Sequence, residues 1–205
     1  MQARANRQRQ LRLALTGGIG AGKTTALAML AAAGAAVLDS DTVVHELLGQ
    51  PDIHKRIISA LDIEPLPDGE PGRRQLADAV FDDDLMLSRL EEIVFPLVRR
   101  RIREWFGRAD VAAAPVAVVE LPLLFEAGME DMFDEVVLIT APKEMRRQRH
   151  AGRIGAEDFV RRSRRQLPEE EKRLRAGVVF DNTGSREELA AFVRGLLPPS
   201  GSGGG

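Results

Sequence analysis

A five-stranded parallel sheet flanked by helices is the fold class this sequence predicts, on three observations. Short, nearly continuous apolar runs recur at 11–15, 35–38, 116–119, 135–139 and 178–180. Runs without polar alternation suit strands covered on both faces. Helix-like spacing fills the intervals between them, the pattern of a parallel sheet wrapped by helices. The first run then opens directly into Gly17-Gly18-Ile19-Gly20-Ala21-Gly22-Lys23-Thr24, a match to G-x-x-x-x-G-K-[ST], which makes the expected fold of the P-loop NTPase type.

The glycines of that segment let the chain turn so that backbone N–H groups face inward, and the following helix aims its positive dipole end at an anion. Residues 25–33 are strong helix formers closed by Gly34, a natural residue just past a helix end. Gly18, Gly20, Ala21, Gly22, Lys23, Thr24 and Thr25 are therefore the expected triphosphate contacts. Lys23 is placed to reach the β- and γ-phosphates, and the Thr24 hydroxyl to ligate Mg²⁺. The expected cofactors are ATP and Mg²⁺.

Composition narrows the partners. The 205 residues are 44% hydrophobic, enough for one compact domain with inserted regions. With 29 basic and 31 acidic residues the net charge is −2, giving no case for nucleic acid as a partner. The absence of cysteine excludes disulfides, thiolate metal sites and cysteine nucleophiles. His45, His54 and His150 match no zinc spacing and read as surface or helix-face residues. Residues 1–10 are basic without an apolar stretch and read as a disordered lead-in; 198–205, rich in Pro, Ser and Gly, read as a flexible tail. The longest apolar run, 26–38, is interrupted by Gly34 and too short to cross a bilayer, so a soluble cytoplasmic protein with no membrane partner is expected. No oligomeric state is assigned.

The strands are unevenly spaced. Residues 42–110 hold no good strand and read as an inserted helical region, with helical spacing at 43–48, 73–81 and 85–106 and a Pro- and Gly-rich loop at 65–72. Trp105 and Phe106 are expected to pack this region against the sheet. A second insertion, 145–175, crowds ten arginines, including Arg146, Arg147, Arg149 and Arg153, among acids. It reads as a lid whose cations close over phosphates, against the alternative of a solvated helix pair. The expected domain is then 11–197, with a core of 11–41, 111–144 and 176–197.

Two acids end the second run, in Leu38-Asp39-Ser40-Asp41, at the sheet edge where open α/β folds bind ligands. One could accept a hydroxyl proton; Asp41 could equally cap a helix over 42–48. Glu120 follows the third run, at the place of an acid that orients Mg²⁺ or its waters. Glu126 reads equally as a helix cap, a surface ion pair or a ligand contact.

Together, residues 15–24, Asp39-Ser40-Asp41, Pro122-Leu123-Leu124-Phe125-Glu126 and Asp181-Asn182-Thr183-Gly184 resemble the dephospho-CoA kinases in order and separation across nearly the whole chain. The resemblance implies transfer of the ATP γ-phosphoryl group to the ribose 3′-hydroxyl of dephospho-CoA. It implies Asp41 as the base, Asp39 as support for it or for the metal shell, and Arg99 and Leu123 as acceptor contacts. Region 42–110 becomes the acceptor-binding part, Asn182 lies near the adenine, and lid arginines, Arg147 and Arg153 first among them, join Lys23 at the transferring charge. Two positions depart from the family pattern. Phe95-Pro96-Leu97-Val98-Arg99 stands where His-Pro-Leu-Ile-Arg is common, and Ala176-Gly177 where Ala-Asp is usual. The alternatives are another small-metabolite or nucleoside monophosphate kinase, and a noncatalytic nucleotide-binding switch; no Asn-Lys-x-Asp element supports the latter.

Overall fold

The first apolar run folds as β1 (Leu11–Thr16), and its side chains from Leu13 onward are buried, as a central strand requires. Our computed structural model describes residues 9–64, 67, 69–81, 83–150, 159 and 163–198. The other strands are β2 (Ala36–Asp39), β3 (Val116–Glu120), β4 (Glu135–Thr140) and β5 (Val178–Asp181). They form one sheet in the order β2-β3-β1-β4-β5. β1 is flanked in parallel by β3 and β4, and β4 pairs in parallel with β5. Each strand ends one residue later than its apolar run, and that last residue is polar: Thr16, Asp39, Glu120, Thr140 and Asp181. A row of polar side chains thus marks the carboxyl edge of the sheet, where chain order reverses on either side of β1 and ligands bind in open α/β folds.

By its contacts the chain divides into two compact units. One comprises Met1–Leu38 with Phe106–Gly205, the other Asp39–Trp105; the helical unit thus begins and ends a few residues before the expected 42–110.

In the sheet unit, α1 (Lys23–Ala32) follows the glycine-rich loop and packs Ala26, Leu27 and Leu30 into a core with Leu13, Leu15, Val116, Val118, Val137 and Ile139. The last helix, Arg186–Gly195, begins at Ser185, whose hydroxyl accepts from the Glu188 N–H, and adds Leu189 and Val193 to the same core. Each such fully buried aliphatic side chain contributes about 1.5–3 kcal/mol. Phe180 of β5 stacks on Phe192 at 4.3 Å. Residues 9 and 10 of the expected disordered lead-in are engaged: Arg9 pairs with Asp134 (2.6 Å), and Gln10 donates to the Ala114 carbonyl (3.0 Å).

The helical unit carries α2 (Ser40–Leu48), α3 (Pro51–Leu61), α4 (Glu70–Phe81) and α5 (Asp84–Phe106, which ends one residue beyond it). The sequence reading missed α3, although Pro51 at the first helical position and Ile53, Ile57 and Leu61 on one face are its signals. His54, expected at the surface or on a helix face, is buried on α3. The expected loop 65–72 is overrun by α4, because Pro71 lies in the first turn, where no intrahelical N–H is required. Trp105 is buried. Phe106, by contrast, meets Phe133 edge-on at 6.0 Å under the Arg12 guanidinium. A short α6 (Ala109–Ala113) leads into β3, α7 (Lys143–His150) follows β4, and α8 (Glu169–Arg175) precedes β5.

Candidate active site

The loop between Thr16 and Lys23 is shaped by left-handed glycines. Gly20 has φ +76° and Gly22 has φ +105°, a region that costs an L side chain roughly 1–2 kcal/mol. Space is also closed there: a Cβ on Gly20 would strike the Arg146 carbonyl, and one on Gly22 the Asn182 amide. The Ala21 N–H donates to the Gly18 carbonyl (3.2 Å), and Ala26 makes the first helical bond back to Gly22 (3.0 Å). The amides of the first turn of α1 have no intrahelical acceptor and form, with the helix dipole, an anion site. Thr24 and Thr25 are exposed at that end.

Lys23 is buried and folds back over the loop it terminates. Its Nζ donates to the Gly18 carbonyl (3.1 Å) and stands 3.8 Å from the Glu120 carboxylate, itself buried at the end of β3. An ammonium in so dry a place requires acceptors and a counter-charge. The structure therefore brings the expected phosphate-binding cation and the expected metal-orienting acid side by side.

Asn182 lies against the same loop. Its backbone N–H donates to Thr140 (2.7 Å), its side-chain amide to the Ala21 carbonyl (2.8 Å), and its own carbonyl accepts from Arg149 (2.9 Å). The expected nucleotide contact is thus a buried strut between β4 and the loop.

Among the arginines, the structure differs from the expectation. Arg147 lies on the outer face of α7, 63% exposed and paired with Glu144 (3.0 Å). The neighbouring Arg146 crosses the loop: its Nε donates to Ala141 (2.9 Å), a terminal nitrogen reaches the Ile19 carbonyl (3.5 Å), and Glu169 stands 3.6 Å away. One residue along a helix is a rotation of about 100°, and tertiary docking of α7 chose Arg146. Arg153 lies outside the described residues, as do 151–158 and 160–162 of the expected lid.

After β3 the chain turns through Leu121-Pro122-Leu123-Leu124-Phe125-Glu126. Leu124 and Phe125 are buried and Leu123 is half-buried. Glu126 accepts from the Leu167 N–H (2.6 Å) and pairs with Lys172 at 2.9 Å, a lysine only 3% exposed at its side chain. The ion pair that Glu126 makes is a buried one, not the surface pair that the sequence suggests. Gln166 and Lys172 were not singled out by sequence, and Arg146 was named only as one of the ten lid arginines; all lie in a charged region where spacing does not say which polar side chains turn inward.

In the helical unit, the Asp39 carboxylate accepts from the Asp41 N–H (2.9 Å) and lies 3.4 Å from the Thr42 hydroxyl. Asp39 is the cap of α2, and the alternative of Asp41 as cap is corrected: the helix begins at Ser40, two residues earlier than expected, so Asp41 is in its first turn and exposed. Arg99 is half-buried on α5, four residues and one turn from the half-buried Phe95. At Gly177, where the sequence departs from the family pattern, the space beside the backbone is filled. A Cβ there would collide with the Glu135 carboxylate, so an acid reaches that place from β4.

A strand, a left-handed glycine loop, a buried lysine at a helix start and an acid on the adjacent strand define a P-loop kinase. The family model for dephospho-CoA kinase matches residues 11–188. A dephospho-CoA kinase of Deinococcus radiodurans is 39% identical over 188 residues, 91% of this chain and 90% of that one; one from Thermus thermophilus is 38% identical over 187 residues, 90% and 89%. The crystal structure of TT1252 from Thermus thermophilus superposes with TM-score 0.75 at 36% identity, covering 93% of this chain and all of that one. A shikimate kinase from Acinetobacter baumannii, at 18% identity and TM-score 0.53 over 92% and 93% of the two chains, shares the fold. The chain belongs to the dephospho-CoA kinase family. It is an ATP-dependent phosphotransferase.

Proposed function

We infer that the chain transfers the γ-phosphoryl group of ATP to the ribose 3′-hydroxyl of dephospho-CoA, giving CoA and ADP. The observation that carries this is Lys23 held between the Gly18 carbonyl and Glu120 under a loop of left-handed glycines, in a chain of this family. The acceptor oxygen forms a bond to the γ-phosphorus as the bond to the ADP oxygen breaks, and the hydroxyl proton passes to Asp41. Asp41 suits that role because the capping of α2 is done by Asp39. Lys23 stabilises charge on the transferring group, and the loop amides hold it in line; positioning and electrostatics supply most of the rate in such transfers. Arg146, whose guanidinium reaches the Ile19 carbonyl of the loop, is assigned to the same task beside the expected Arg147 and Arg153. Arg99 and Leu123 are assigned to the acceptor.

Mg²⁺ fits the donor set. Thr24 offers a hydroxyl and Glu120 a carboxylate, both hard oxygen ligands, and no cluster of three or more His, Cys, Asp or Glu among the described residues could hold an ion alone. An ion that keeps phosphate and water oxygens suits such a site, where it neutralises phosphate charge. No helix among the described residues is long and apolar enough to cross a membrane.

A coupled assay of ADP release with ATP, Mg²⁺ and dephospho-CoA tests the reading. Acceptor-dependent turnover is expected. Equal release with nucleoside monophosphates or shikimate, or slow hydrolysis indifferent to acceptor, would replace it with one of the alternatives. Asp41→Asn should retain ATP binding and lower turnover by about 10²–10⁴.

A further inference from the structure

Behind the phosphate loop lies a partly buried polar assembly to which the reaction assigns no part. The Gln166 side-chain amide donates to two carbonyls from different segments: Pro122, after β3, at 3.0 Å, and Gly17, the first residue of the loop, at 3.3 Å. Lys172 donates to the same Pro122 carbonyl (3.2 Å) and pairs with Glu126, which in turn accepts from the N–H of Leu167, the residue after Gln166. Residues 166, 167 and 172 are thereby bound to the turn after β3, and Gln166 extends that grip to the loop.

We propose that Gln166 is a positioning residue for ATP binding, which aims the first amide of the phosphate loop and is itself held in place by the Glu126–Lys172 pair. The reason is the planarity of the peptide bond. In a trans peptide the C=O and N–H point in opposite directions and turn together, so a donor that fixes the Gly17 carbonyl also fixes the Gly18 N–H. The next carbonyl, of Gly18, is gripped by Lys23 (3.1 Å). The two opening carbonyls of the loop are thus each pinned, one by the nucleotide-binding lysine and one from outside the motif. Glycine at 17 and 18 leaves both peptides free to rotate unless something holds them, and Gln166 supplies the hold at the first.

The proposal deepens the kinase reading and rests on it; ATP binding and dephospho-CoA turnover by the wild-type chain establish that reading first. Gln166→Glu keeps the shape of the side chain and removes both N–H donors, while Gln166→Leu removes polarity altogether. Two lost hydrogen bonds of ordinary strength correspond to roughly tenfold, so both variants are expected to raise the ATP dissociation constant, by titration, about tenfold. The KM for dephospho-CoA should change less than twofold, and the melting temperature should fall by only about 3–6 °C. Glu126→Gln with Lys172→Met replaces the buried pair by neutral groups of similar size, a change proteins tolerate far better than loss of one partner. It is expected to weaken ATP binding in the same direction, and combining it with Gln166→Leu should add little, because residues acting through one contact are not additive. Wild-type ATP affinity in Gln166→Glu would overturn the proposal. So would a fall in melting temperature with ATP affinity unchanged, or full additivity of the two sets of changes.

Discussion

Among the described residues, the two units hide different kinds of polar group, and lysines and a glutamate are buried only in one of them. Of the same residues, the sheet unit buries Thr16, Lys23, Glu120, Thr140, Lys172 and Asn182, whereas the helical unit buries only Ser40 and His54. The interior of the helical unit is otherwise aliphatic and aromatic: Ile53, Ile57 and Leu61 from α3, Leu76 and Val80 from α4, and Val98, Ile102 and Trp105 from α5. Burying polar atoms costs free energy unless each finds a partner, and partners have direction, so a polar interior holds a geometry. An aliphatic interior is held by volume and area and tolerates more rearrangement. Precision in this protein is concentrated behind the phosphate loop, and adaptability is left to the unit assigned to the acceptor. The family departure at Phe95 falls in that unit.

That contrast can be broken most directly at its centre. Lys23→Ala should lower turnover by about 10²–10³, since an aligned donor at developing charge is worth about 3–4 kcal/mol, and should also lower the melting temperature, because it leaves the buried Glu120 carboxylate without its counter-charge. Steady-state kinetics beside thermal unfolding checks both halves, and near-normal turnover would remove Lys23 from the chemistry. Ile57→Ala should touch stability alone. Its side chain is fully buried on α3, so truncation is expected to cost about 2–5 kcal/mol in urea unfolding, while turnover per folded molecule at saturating substrate changes little.

A smaller effect sharpens the reading of the acid pair. Asp39→Ala removes the cap of α2 and should cost about 1 kcal/mol of stability. If thermal unfolding is unchanged while the KM for dephospho-CoA rises, Asp39 serves the substrate and not the helix. Smallest of all is a surface pair. The Asp110 carboxyl is held below its usual range, first by its hydrogen bond from Arg108. A lowered folded-state value contributes stability above the ordinary carboxylate value of 3.8, lost as pH falls through the lowered one. Asp110→Asn should therefore flatten only the acid limb of the stability profile, and only slightly, because the group is fully exposed and screened.

Much of the sheet unit was legible before any coordinate. The apolar runs located all five strands to within a residue or so at each end, because a strand buried on both faces must be apolar along its length. The phosphate loop was legible because its glycines, lysine and threonine act through local backbone geometry. In the helical unit α3 escaped notice: the pattern Ile53, Ile57, Leu61 spans only a few turns, and its opening Gln50-Pro51-Asp52 reads as a break as readily as a start. The start of α2 was misplaced by two residues, which moved the cap from Asp39 to Asp41; the two lie on opposite sides of a single Ser40.

By itself, then, the chain's order of residues determined the strands, the phosphate loop with Lys23 and Thr24, and the family. All of these depend on neighbours in sequence, on burial that forces composition, or on motifs read in order. Only tertiary structure decided that Arg146 and not Arg147 meets the loop, that Glu126 answers Lys172, and that Gln166 reaches back to Gly17 across 149 positions. Those choices depend on how α7 and the residues around α8 dock on the sheet, and a polar helix shows several charged side chains to every direction until docking selects among them.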